Sequence, residues 1–147
     1  MKKLLYLAVF FLVSTQMFAQ KEEDAFRSIY ACCFQRDYFT ASELFETRKH
    51  ELSAIRQKYF EAVIYNAFNR IDESQIRIDE ILMPENSLPD SLEFRLYETA
   101  GDNALKQFNY KKAVEAINVI LSNYSGFLTA EQKSDYENDL KLWSALE

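Results

Sequence analysis

The chain has 147 residues, with 17 Lys and Arg against 23 Asp and Glu, for a formal net charge of −6. The acidic balance argues against a general nucleic-acid binder and against a partner of anionic membranes. Two glycines and two prolines are too few for the turns of a β protein. With abundant Ala, Leu, Glu, Lys, Phe and Tyr, they point to an all-α chain.

The N-terminus reads MKKLLYLAVFFLVSTQMFAQ. Lys2 and Lys3 form a basic start, Leu4 to Val13 an apolar run, and small and polar residues follow. That layout is expected of a secretory signal peptide over residues 1–20. The run is short for a bilayer span, so no stable membrane insertion is expected once it is cleaved. Cleavage after Ala19 or after Gln20 leaves Met17 or Phe18 where a small residue is usual. Removal of the leader takes the basic count from 17 to 15 and the net charge to −8. What remains, residues 21–147, is long enough for one helical domain with a core. Export, to the periplasm or beyond, implies an oxidising compartment. Cys32 and Cys33 are adjacent, and a bridge between helix neighbours is strained. They read as two small buried residues, or as a labile or intermolecular disulfide.

Phe26, Ile29, Tyr30, Cys33 and Phe34 recur at helical spacing. Gln35 to Asp37 break the pattern, and Asp37 is placed to cap the next helix. Tyr38, Ala41, Leu44 and Phe45 mark that second helix. From His50 a long helix follows, with Leu52, Ile55, Tyr59, Ala62, Val63 and Asn66 on one face and Phe60, Ile64 and Phe68 widening it. Ile71, Ile78, Ile81 and Leu82 continue as a fourth helix until Pro84 ends it. Pro89 and Asp90 open a fifth, NYKKAVEAINVILSNY forms a sixth, and Thr129 with Gln132 fits a capping box for a seventh. The expected hairpins are 22–49, 51–83 and 89–123, with a capping helix over 129–146. Short connections make neighbours antiparallel.

Three segments share a period. YFTASELFETRK, IDESQIRIDEIL and YKKAVEAINVIL each carry a small residue, Ala41, Ser74 and Ala113, at separations of 33 and 39 residues. Twelve residues upstream stand Ile29, Ala62 and Gly101. A small residue on each helix permits close approach, so Gly101 is expected inside the fifth helix, facing Ala113, with the break at Gln107 to Asn109. Tyr97, Ala100, Gly101 and Ala104, followed by Tyr110, Ala113 and Ile117, resemble the tetratricopeptide repeat. The resemblance implies an all-α fold of antiparallel helical hairpins stacked as a short tetratricopeptide-like solenoid of about seven helices, the seventh being the cap.

A narrower resemblance covers most of the chain. The exported start, NAFNRIDESQIRIDEIL, FNYKKAVEAINVIL and DYENDLKLWSALE together resemble a group of exported Bacteroidetes proteins in which a helical region precedes a retropepsin-like aspartyl protease domain. The Asp-Thr/Ser-Gly loop of that protease is missing, because no Asp lies two residues before Gly101 or Gly126. No catalytic residue is carried over.

Little else suggests chemistry. His50 stands alone beside Glu51 and lacks metal-ligand spacing. Asp72, Glu73, Asp79 and Glu80 share a helix face and read as solvated rather than as a cation or acid/base site. Asn123-Tyr124-Ser125 and Asp90-Ser91-Leu92 match short glycosylation patterns, Ser91 in an exposed loop being the better candidate. No cofactor, metal or catalytic set is expected. In tetratricopeptide arrays the first helices line a peptide-holding concave face. The resemblance places Phe26, Tyr30, Phe34, Tyr59, Val63, Asn66, Arg95, Glu98, Asp102 and Leu105 there, while Ala41, Ala62, Ser74, Gly101 and Ala113 pack the repeats. The expected function is an exported, non-enzymatic module for a protein or peptide partner. Alternatives are a regulatory or pro-region of an aspartyl protease, and a small-ligand or cation binder using the acidic face.

Overall fold

In a computed structural model, residues 2–84 and 86–146 are described, with side chains from Gln16 onward. Met1 and the side chains of the leader's apolar run therefore lie outside the described residues. The chain is 82% helical, and among the described residues seven α-helices and no strand occur. They are α1 (Lys2–Phe34), α2 (Tyr38–Arg48), α3 (Ala54–Ala67), α4 (Ile71–Ile81), α5 (Asp90–Lys106), α6 (Tyr110–Asn123) and α7 (Ala130–Ser144). Helix α1 runs unbroken through the expected cleavage junction. No helix among the described residues is long and apolar enough to cross a membrane. The long helix expected from His50 is shorter: a 3₁₀ turn, Lys49–Glu51, comes first, and α3 starts at Ala54.

Two compact units divide the chain, Met1–Phe60 and Glu61–Glu147, the boundary falling inside α3. In the first, α1 packs on α2 around fully buried Ala25, Ile29, Ala41 and Phe60. Phe26, Phe45, Tyr59 and Phe60 form a ring cluster, with centroid separations of 5.3 Å for Phe26–Phe60 and 6.3 Å for Phe45–Phe60. Offset and tilted rings at such distances attract one another beyond their buried area. In the second unit, α5 packs on α4 and α6, and α6 packs on α7. Its core holds Ile64, Ile78, Leu96, Ile117 and Ile120. Tyr124 closes one end against Phe94, its hydroxyl donating to Glu93 at 2.6 Å.

The three hairpin turns are built alike. Residues 35–37, 68–70 and 107–109 connect α1 to α2, α3 to α4 and α5 to α6. The central residue is left-handed each time: Arg36 (φ 60), Asn69 (φ 60) and Phe108 (φ 56). Their separations of 33 and 39 residues repeat those of Ala41, Ser74 and Ala113. The next residue, Asp37, Arg70 or Asn109, donates its amide five residues back, to Cys32, Tyr65 or Ala104, at 2.8–2.9 Å. The left-handed residue donates three residues back at 2.9–3.0 Å. Together these bonds satisfy carbonyls left open at a helix end, in the Schellman arrangement. The residue that closes one helix also starts the next. Asp37 accepts from the Thr40 amide and Asn109 from the Lys112 amide. Arg70 provides no side-chain cap, and Asp72 and Glu73 in the first turn of α4 favour its positive end instead.

Several starts and stops match their sequence signals. α4 ends before Pro84, and Thr129 with Gln132 forms the capping box of α7. Pro89 occupies the cap position rather than the first helical residue of α5.

Candidate interaction surface

Gly101 lies buried inside α5, and the break falls at Gln107 to Asn109. Its neighbour differs from the expected one. A Cβ added at Gly101 would meet the Cβ of Ala116, not Ala113, at 3.6 Å. That is ordinary contact, so helix packing leaves room for a methyl group. Ala113 sits instead one turn nearer the hairpin and is fully buried.

Beside Gly101 a pocket of about 130 Å³ opens between α5, α6 and α7. Ala116, Ile117 and Ile120 of α6 and Tyr97, Gly101 and Leu105 of α5 line it, with Tyr136 and Trp143 of α7. Glu98 and Asp102 are its carboxylates. Glu98 accepts from the Tyr136 hydroxyl at 2.7 Å and from Arg95 at 2.5 Å. Burial, and then the bond to Glu98, pushes the Tyr136 phenol well above its ordinary value. Asp102 accepts from Asn66 and pairs with Lys106, each at 2.8 Å. The pocket is thus walled by hydrocarbon and aromatic rings and edged by carboxylates fixed in place.

Of the residues placed on the concave face by resemblance, Glu98, Asp102 and Leu105 come together here, Arg95 reaching Glu98 and Asn66 reaching Asp102. Val63 is half-buried on α3. In the other unit Phe26 stacks on Tyr30 at 5.5 Å and lies 6.5 Å from Tyr59. Tyr59 is 3% exposed and therefore belongs to the core of that unit rather than to an open face. Phe34 departs from the stripe: as the last residue of α1 it is 69% exposed. Arg56 covers the Phe26 ring at 4.5 Å and pairs with Glu22 and Glu23. Bonds to Ser53 and to Arg27 hold the carboxyls of Glu22 and Glu23, respectively, below their usual range.

The packing residues Ala41, Ala62, Ser74, Gly101 and Ala113 are all buried. Ser74 does more than save space. Its hydroxyl donates to the Ala62 carbonyl at 2.8 Å, across the twelve-residue offset. It also accepts from Asn103 at 3.0 Å. Asn103, 1% exposed, donates to Gln75 at 3.2 Å and accepts from Asn66 at 2.8 Å. This polar chain links α3, α4 and α5. The sequence signal for it is a polar residue seven positions after buried Leu96, on the same helical stripe.

The acidic face of α4 is engaged by the protein itself. Asp72 accepts from Gln107 and Asp79 from Gln75, while Glu73 pairs with Arg70 and Glu80 with Arg77. Among the described residues, no group of three or more His, Cys, Asp or Glu is arranged to hold a metal ion. His50 is exposed in the 3₁₀ turn. Ser91 lies in the first turn of α5 rather than in a loop, with Leu92 buried behind it. Cys32 and Cys33 are both free and half-buried, and burial pushes the Cys33 thiol up to about 12.

Comparison with protein-family models, curated proteins and solved structures finds no match to this chain.

Charge is divided unevenly. Residues 61–147 carry 16 acidic and 8 basic side chains, whereas residues 1–60 carry 7 acidic and 9 basic. The acidic excess therefore belongs to the unit that holds the pocket. An apolar cleft with aromatic walls and a charged edge suits recognition of a side chain.

Proposed function

We propose that the chain is an exported helical-repeat module of the tetratricopeptide-like kind, without catalysis of its own, that holds a protein or peptide partner. The observation that carries this reading is the pocket between α5, α6 and α7. There, Trp143 and Tyr136 share the lining with apolar Leu105, Ala116, Ile117 and Ile120 and with the carboxylates of Glu98 and Asp102. Tyr and Trp are the side chains that most often dominate binding energy when partly desolvated. The recurrent hairpin turns and the signal-like residues 1–20 support the repeat and export parts of the reading.

Two measurements test it. A fusion of residues 1–20 to a reporter active only outside the cytoplasm should be active and lose activity when the Leu4–Val13 run is made polar. Affinity co-purification from the cell envelope should recover a defined partner with the parent protein and lose it with Trp143→Ala and Asp102→Lys. Equal recovery with parent and variants would refute the interaction site.

A further inference from the structure

Gly101 is an anomaly of helix design. Glycine weakens a helix interior relative to alanine, yet an alanine methyl here would meet one neighbour, Ala116 Cβ, at ordinary contact distance. Packing of α5 on α6 does not require the glycine. Gly101 and Ala116, whose side chain that methyl group would meet, both line the pocket, so the methyl group would narrow it there. Glycine is the residue that lets another group approach backbone closely.

The pocket volume, about 130 Å³, equals roughly four waters at ~30 Å³ each in the liquid. That is room for one aliphatic side chain. Glu98 and Asp102 line the pocket, each already paired with a basic neighbour, Arg95 and Lys106, so the acidic character comes from the unit as a whole, where residues 61–147 carry 16 acidic against 8 basic groups. A complementary partner carries positive charge around an apolar anchor.

We propose that the pocket over Gly101 is a docking site for one apolar side chain presented by a basic segment of a partner protein. This rests on the interaction-module reading and names the chemistry of its partner. The aliphatic anchor enters between Trp143 and the Gly101 backbone, and lysines or arginines beside it face Glu98, Asp102 and the acidic side chains of α7.

Trp143 is the only tryptophan, so its emission reports occupancy directly. The probe is a synthetic amphipathic peptide of about four helical turns, with a leucine stripe and a lysine-lined polar face. Titration into the purified protein should give a saturable blue shift of Trp143 emission. Affinity should fall about tenfold or more at ~1 M salt, where charges are screened beyond ~3 Å. Replacing the peptide's leucines by alanine should abolish the shift. Gly101→Ala should raise the melting temperature by about 4 °C while weakening the peptide at least about tenfold.

Four results would each overturn the proposal: no Trp143 response, an equal response to a glutamate-lined peptide, Gly101→Ala binding the peptide as tightly as the parent, or Gly101→Ala melting lower. A concentration-dependent shift of emission and mass without peptide would make a second copy the occupant and overturn it as well. A co-purified envelope partner retained by Gly101→Ala would remove the pocket and leave the module reading standing.

Discussion

Replacing Asn103 should weaken the fold more than its small size suggests. The side chain is 1% exposed and joins three helices through bonds to Ser74, Gln75 and Asn66. Each such bond contributes a net ~1 kcal/mol, but the losses are unequal. Ser74 keeps its donor bond to Ala62 at 2.8 Å, and Asn66 keeps Asp102 at 2.8 Å. Gln75 and Asn66 are half-buried and regain water. The loss for Asn103→Ala is therefore about 2–3 kcal/mol, including the small cavity left behind. Asn103→Leu refills the volume and should cost about 1–2 kcal/mol, chiefly through unmade bonds. Urea denaturation followed by circular dichroism measures both, with an unchanged slope showing that the denatured state is unaffected. A double-mutant cycle with Ser74→Ala should give a coupling of about 1 kcal/mol. If Asn103→Ala loses less than about 0.5 kcal/mol, or the cycle shows no coupling, the polar chain does not hold these helices together.

Phe108 occupies a left-handed position (φ 56) and is 78% exposed, so Phe108→Gly should relieve strain and raise stability by about 0.5–1 kcal/mol; a lower urea midpoint would contradict this. Burial, and then bonds to Glu93 and Glu98, raises the phenols of Tyr124 and Tyr136 above their ordinary value. Their folded-state values exceed the unfolded one, so this stability is fully present below about pH 10 and is lost as pH rises through and beyond it. Melting temperature against pH should show that alkaline fall, and Tyr136→Phe should reduce it; an unchanged profile would count against the burial effect. With its thiol pushed up to about 12, Cys33 should hold a thiolate fraction on the order of 10⁻⁴ at pH 8. Alkylation mapped by mass spectrometry should find Cys33 modified at rates far below an unfolded control, and comparable rates would show that the burial is wrong.

The helices were legible because their apolar residues recur with helical spacing and their breaks fall at short polar clusters. The twelve-residue offset was legible too, at Ser74 and Ala62, where a hydroxyl meets a carbonyl. The offset placed Gly101 opposite Ala113, but a small side chain on α6 recurs one turn further on, at Ala116, and spacing alone does not choose between them. Asn103 was hidden because a polar residue on an apolar stripe does not name the partners that satisfy it. Phe34 and Tyr59 share one expected face but differ in the structure: Phe34, the last residue of α1, is exposed, whereas Tyr59 is enclosed beside Phe26 and Phe60. Of the left-handed turn residues only Asn69 is of a type that takes this conformation readily, while Arg36 and Phe108 stand where glycine is usual and give no signal. Its position in the sequence makes Trp143 part of a capping helix. No spacing rule connects it with Gly101, and only the packing of α5, α6 and α7 brings both to one pocket.

The shared turn residues also determine where chain length is free to vary. At Asp37, Arg70 and Asn109 a single residue closes one helix and starts another. An extra residue there separates the two tasks and opens the helix ends to water. The stretch from Asn86 to Pro89 has no such double duty, lying between α4 and α5 and outside any helix. A tag, a cleavage sequence or new termini inserted at that stretch should leave the hairpin α5–α6 and its pocket intact. The same insertion beside Phe108 should unmake them. In this chain the longer connection is the place for insertion and exchange, and the three-residue turns act as fixed joints.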